Sequence, residues 1–189
     1  MRPEEAGPPE IEEALDEAPP PPEGFREPLE IGGLRLRSRL VMAPMAGYTN
    51  LPFRRLVAAR GAGMVATEMV SSQALVRRHP KTFALMRMET AERPVSIQLF
   101  GSDPVMMGEA SAIVEEAGAD VIDLNCGCPV KRITRTEAGS ALLCHPERAG
   151  EIVSAMIRSV RGPVTVKMRL GLFNESDRRF NLRLRYRHG

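Results

Sequence analysis

What this 189-residue chain lacks narrows the reading first. No apolar stretch approaches the roughly 18 residues needed to cross a bilayer, and the N-terminus is acidic and proline-rich where a secretory signal would place basic and then apolar residues. Membrane and secreted readings therefore fall, and a cytoplasmic protein is expected. Cysteine is scarce: there are three, an odd number, and Cys126 and Cys128 sit two positions apart in one apparent loop. A disulfide scaffold does not fit, and a reducing compartment does. Nor does a Gly-x-Gly-x-x-Gly turn follow the first expected strand, which removes the ordinary dinucleotide-binding sheet.

What is there reads as one domain with a real core, 43% hydrophobic and 26% charged. Its charge is uneven. Residues 1–30 carry two basic and ten acidic side chains, a net of −8, whereas residues 31–189 carry 24 and 14, a net of +10. The folded part is basic and suits a polyanion such as RNA. Nearly all of that charge is arginine, 23 against three lysines, a bias that genome composition also produces.

Residues 1–28 are Glu, Pro and Ala with little to bury and read as a disordered tail. From Leu29 to Leu36 alternation around Gly32-Gly33 predicts a small hairpin. A repeated unit of short apolar strand, polar end and amphipathic helix follows. Strands are predicted at Leu40 to Ala43, Met64 to Thr67, Val95 to Ile97, Val121 to Leu124 and Val164 to Val166. Helices are predicted from Asn50 to Arg60, Ser71 to Arg78, Asp103 to Gly118 and Pro146 to Val160. Alternation of this kind means a parallel α/β sheet. Candidate side chains stand at every strand end, Met45, Glu68, Gln98, Asn125 and Lys167, which favours a (β/α)8 TIM barrel over an open sheet. Such a barrel needs about 250 residues, so the expectation is a barrel truncated after about five strands, over residues 29–172. An arginine-rich irregular tail is expected over 173–189.

The stretch from Val121 to Pro129, VIDLNCGCP, is the centre of the pattern, a buried strand that becomes a loop with two thiols and an amide. Cys128 can donate a proton or act as a nucleophile, while an inert buried thiol explains the same spacing. Lys167, inside an alternating apolar strand, calls for an anionic partner such as the electron-rich edge of a reduced cofactor; reaching solvent is the alternative. Gln98 offers the donor and acceptor that an imide edge matches, and Glu68 is equally a structural carboxylate. Lys131, Arg132 and Arg135 suit backbone phosphates or a solvated loop. Cys126, Cys128, Cys144 and His145 add up to four soft ligands, but their spacing is unlike structural zinc sites, and no metal is expected.

The segments APMAGYT at 43–49, TEMVS at 67–71, SIQLFG at 96–101, DLNCGCP at 123–129, GSALL at 139–143 and VKMR at 166–169 resemble the ordered motifs of the tRNA-dihydrouridine synthases, most nearly the bacterial B branch. The resemblance covers about Leu29 to Leu172. It implies an FMN-dependent barrel that reduces the C5=C6 bond of uridines in tRNA with NADPH as reductant. Carried over by position, Pro44, Met45 and Ala46 would touch the flavin, Gln98 and Lys167 would meet its polar edge, Asn125 would orient flavin or base, and Cys128 would be the general acid. Cys126 stands where the family more often has Met. A histidine near the flavin, the Gly-rich phosphate loops and a tRNA-gripping helical domain belong to the family's later segments and have no counterpart here. An inactive remnant that binds RNA weakly, and another FMN barrel acting on a small unsaturated substrate, are the alternatives.

Overall fold

The computed structural model describes residues 23–169, so the expected tail up to residue 22 and the arginine-rich stretch over 173–189 lie outside the described residues. Residues 23–28 form a turn held to the body by the Arg39 N–H, which donates to the Phe25 carbonyl at 3.2 Å.

The predicted hairpin is present. β1 (Leu29–Ile31) and β2 (Leu34–Leu36) pair antiparallel around Gly32 and Gly33, whose φ angles of 53° and 82° are those a two-residue hairpin turn demands. Leu36 packs with Met64 and Val121, residues at or beside the starts of two sheet strands. The hairpin thus covers the end of the sheet opposite the loops described below.

The sheet is parallel and curled, half of a barrel. It contains β3 (Val65–Ala66), β4 (Val70–Ser71), β5 (Val95–Phe100), β6 (Val121–Cys126) and β7 (Val164–Met168), in the order β3, β5, β6, β7 with β4 also on β5. The helices are α1 (Leu51–Ala59), α2 (Ser72–Val76), α3 (Pro80–Leu85), α4 (Pro104–Glu116), α5 (Lys131–Thr134) and α6 (Pro146–Ser159). Side-chain caps start two of them: Asn50 Oδ1 accepts from the Phe53 N–H at 3.1 Å, and Asp103 Oδ1 from the Met106 N–H at 3.0 Å, each contributing about 1 kcal/mol.

The short helices α3 and α5 are not among the expected elements, and two further details differ from the sequence reading. The strand expected at Leu40 to Ala43 shrinks to a single bridge between Val41 and Met64, because Pro44 has no N–H with which to extend the ladder. The second is a bulge. Ala66 pairs with Ser96 and Val70 with Leu99, so the three residues from Thr67 to Met69 face only Ile97 and Gln98. β3 and β4 are one strand with an extra residue, a device that re-aims side chains beside functional sites.

Period-two alternation sorts β5, β6 and β7 into two faces. Ile97, Leu99, Ile122, Leu124 and Cys126 join the main apolar cluster with residues of α4 and α6, the layer where helices cover the sheet. Here α4 and α6 approach so closely that a Cβ on Gly108 would lie 2.8 Å from Ser159 Oγ. The other face carries Gln98, Asp123, Asn125, Thr165 and Lys167. A buried ion pair anchors α1: Arg54, 2% exposed, meets Glu92 at 2.7 Å and also donates to the Thr49 and Arg87 carbonyls.

Candidate active site

The C-terminal ends of the strands gather the loops that carry the polar residues, as a barrel requires of a site. A cavity of about 200 Å³ opens there, lined by Pro44, Ala46, Met69, Gln98, Asn125, Gly127, Cys128, Val130 and Lys167. Six residues singled out from the sequence thus meet at one place. Met45 does not line this cavity; its side chain is 40% exposed, while its backbone makes the turn that ends at Thr49. Glu68, on the bulge, accepts from the Gly47 N–H at 2.6 Å and ties the Pro44 loop to the neighbouring strand.

Beneath the cavity runs a continuous hydrogen-bond relay. Thr165 Oγ1 donates to Asp123 Oδ1 at 2.7 Å, Gln98 Nε2 donates to Asp123 Oδ2 at 2.6 Å, and Asn125 Nδ2 donates to Gln98 Oε1 at 2.7 Å. Asn125 Oδ1 then accepts from the Gly127 and Cys128 N–H groups at 3.2 and 3.0 Å, an Asx turn. On its other side the Cys128 carbonyl accepts from the Ser140 N–H at 2.9 Å. The Cys128 backbone is therefore pinned at both its donor and its acceptor.

The two thiols expected in one loop separate: Cys126 is the last residue of β6, paired with Met168, and only Cys128 stands in the loop. Cys126 is 1% exposed within the apolar cluster, and burial, with a smaller push from the Asp123 carboxylate, raises its pKa to about 12. It is a packing residue that stays protonated. Cys128 is partly exposed and lines the cavity. Cys144 is exposed, and among the described residues no group of three His, Cys, Asp or Glu side chains could hold a metal ion.

Lys167 differs from its expectation in one respect: it is exposed at the end of β7, not embedded, so desolvation puts no demand on it. It still lines the cavity, and its charge attracts the Asp123 carboxylate. Asp123 is the residue sequence reasoning missed. Burial raises its carboxyl pKa, opposed by the hydrogen bonds from Thr165 and Gln98 and by the Lys167 charge. The signal was available: Asp123 stands two residues before Asn125, on the same strand face, in a strand otherwise apolar. Lys131, Arg132 and Arg135 are exposed on and just after α5, the short helix that follows the Cys128 loop. No helix among the described residues is long and apolar enough to cross a membrane.

Comparison with known proteins first defines the class. The fold is similar to that of histamine dehydrogenase from Rhizobium sp. 4-9, with a TM-score of 0.57 at 18% identity over 77% of this chain and 34% of that one, which makes it a TIM-barrel architecture. The family described as Dihydrouridine synthase (Dus) matches residues 41–184, and the chain belongs to that family. It is 44% identical over 144 residues to a probable tRNA-dihydrouridine synthase of Rhodobacter capsulatus and 44% identical over 144 residues to tRNA-dihydrouridine synthase B of Proteus vulgaris. It is 43% identical over 143 residues to tRNA-dihydrouridine synthase B of Pseudomonas aeruginosa. Each alignment covers 76% of this chain, and the chain spans only 43% to 44% of the length of these relatives.

Proposed function

We propose that the cavity is part of the active site of a tRNA-dihydrouridine synthase, in which Cys128 is the general acid for reduction of a uracil C5=C6 bond. The observation that carries this reading is the placement of Cys128: a partly exposed thiol, pinned through its backbone N–H and C=O, on the wall of a cavity that Gln98 and Lys167 also line. FMN, when bound there and reduced by NADPH, would supply the hydride for C6.

The residues present fit a flavin. Gln98 uses one amide hydrogen and one acceptor position in the relay, leaving a second of each for a ring that carries both donors and acceptors along one edge. Lys167, which lines the same cavity, would offer a positive charge to the negative charge of a reduced flavin. Gly127 brings bare backbone to the cavity wall, which Pro44 and Ala46, in the loop braced by Glu68, also line.

Cys128 then completes the addition. Its thiol proton passes to C5 of the uracil as hydride arrives at C6, saturating the bond, and the thiolate recovers a proton from water. A thiol carries a proton that it can donate in the transition state. Asn125 holds the loop from which the thiol projects. The exposed Lys131, Arg132 and Arg135 follow Val130, which lines the cavity, and would provide charge for backbone phosphates, which favours a polynucleotide over a small unsaturated substrate.

The test is dihydrouridine formation on unmodified tRNA with FMN and NADPH, read by mass spectrometry of the hydrolysed nucleosides. Wild type should form dihydrouridine, whereas Cys128→Ala should bind flavin equally and form none. Equal product from Cys128→Ala would remove the assigned role.

A further inference from the structure

We infer that Asp123 is a positioning residue, the acceptor that fixes the direction of the Gln98–Asn125 relay and, through it, the seat of Cys128. Its relevance to chemistry rests on the function proposed above; the relay itself does not.

Donor and acceptor matching sets the direction of the relay. At one end of the relay two backbone N–H groups, of Gly127 and Cys128, point at Asn125, so the atom they meet has to be its oxygen. Asn125 must therefore present its NH₂ to Gln98, which must answer with its own oxygen, leaving the Gln98 NH₂ to find an acceptor. That acceptor is Asp123 Oδ2, and the second oxygen of the carboxylate takes the Thr165 hydroxyl. A carboxylate accepts at both oxygens, so it cannot be satisfied in the reverse sense. Gln98 is 1% exposed and Asp123 8%, and no buried polar side-chain atom among the described residues lacks a partner. A network this closed admits one direction of donation, and a reversal would set NH₂ against N–H at the Cys128 turn. Charge adds to the match. Lys167, which lines the cavity with Cys128, attracts the same carboxylate.

The test exchanges the two partners. In Gln98→Glu, two acceptor-only groups face each other where a 2.6 Å hydrogen bond stood, and the pair is satisfied only by retaining a shared proton. Adding Asp123→Asn restores the match: the new amide NH₂ donates to the carboxylate introduced at position 98, its oxygen still accepts from Thr165, and that carboxylate still accepts from Asn125. Cys128 alkylation by iodoacetamide is followed by peptide-resolved mass spectrometry in the 189-residue chain, with exposed Cys144 as the internal reference. Relative to wild type, Gln98→Glu should alkylate about fivefold faster at pH 9, the factor that one net hydrogen bond represents. At pH 5 it should be thermally more stable than at pH 9, because a shared proton lost as pH rises leaves two like charges. Asp123→Asn/Gln98→Glu should return both readouts to within about twofold of wild type and to the wild-type pH profile. If Gln98→Glu folds at no pH, a folded double variant with the wild-type Cys128 rate supports the relay. A double variant that stays as reactive as Gln98→Glu, or fails to fold, overturns it, as does a Gln98→Glu chain indistinguishable from wild type. No flavin or tRNA is present in this assay. A wild type that makes no dihydrouridine would therefore refute the proposed function and leave the relay standing.

Discussion

Gly139 is the residue whose replacement should disturb the Cys128 seat most directly. It sits at φ +64° at the start of the 3-10 turn Gly139–Cys144, and a Cβ there would lie 2.6 Å from the Cys128 carbonyl oxygen and 2.9 Å from Ile133 Cγ2. Both obstacles are firm: the first is backbone held by the Ser140 N–H, the second a buried core side chain. For Gly139→Ala the left-handed conformation costs about 1–2 kcal/mol. Opening the contact to van der Waals distance requires a shift of several tenths of an ångström, enough to weaken the Ser140 to Cys128 hydrogen bond, worth about 1 kcal/mol. The total is about 2–3 kcal/mol. With a urea m value of about 2 kcal/mol/M, the unfolding midpoint should fall by about 1 M. Far-UV circular dichroism is the probe, since the chain has no tryptophan. Gly150→Ala is the control: Gly150 lies inside α6, and nothing stands within 4 Å of its added Cβ, so the change should stabilise by about 0.5–1 kcal/mol. A Gly139→Ala midpoint equal to wild type would refute the claim that this glycine is required by close approach.

Arg54→Ala should destabilise by about 3–5 kcal/mol in the same assay, because it strands the fully buried Glu92 carboxylate; a loss under about 1 kcal/mol would mean that Glu92 finds another partner. The raised Cys126 pKa ties stability to alkaline pH. The native state holds this proton more tightly than the unfolded chain, so the contribution is intact below pH 9.0 and falls by about 1.4 kcal/mol per unit as pH rises toward 12. Cys126→Ala should lack that slope, and parallel curves for the two proteins between pH 8 and pH 10 would refute it. Alanine at Lys131, Arg132 or Arg135 should each lower the salt dependence of tRNA binding by about one unit of slope, measured by filter binding; unchanged slopes would place the phosphates elsewhere.

The sequence was legible where a single local rule decides the outcome. Asn50 and Asp103 cap helices as their side-chain chemistry dictates, Gly32-Gly33 turns the hairpin, and the strands from Val95 and Val121 form because branched apolar residues have helices to cover them. Gln98, Asn125, Cys128 and Lys167 meet in space because each stands at a strand end of a parallel sheet, a consequence of topology that alternation already implies. What escaped depends on register. The bulge at Thr67 to Met69 is visible only once β3 and β4 are paired with β5. The role of Asp123 follows from Gln98 lying opposite it on β5 and Thr165 on β7, partners 25 and 42 residues away. The two thiols look alike in the sequence; the strand face of Cys126 and the loop position of Cys128 separate a core residue from a candidate acid.

Titration of FMN with the 189-residue chain, followed by quenching of flavin fluorescence, is the most direct test of the cavity as a flavin-dependent site. Saturable quenching at one flavin per chain is expected, weakened about tenfold in Lys167→Ala by loss of an ammonium donor for a carbonyl of the oxidised ring, a charge-assisted hydrogen bond. The absence of saturable quenching, or equal affinity in wild type and Lys167→Ala, would contradict it.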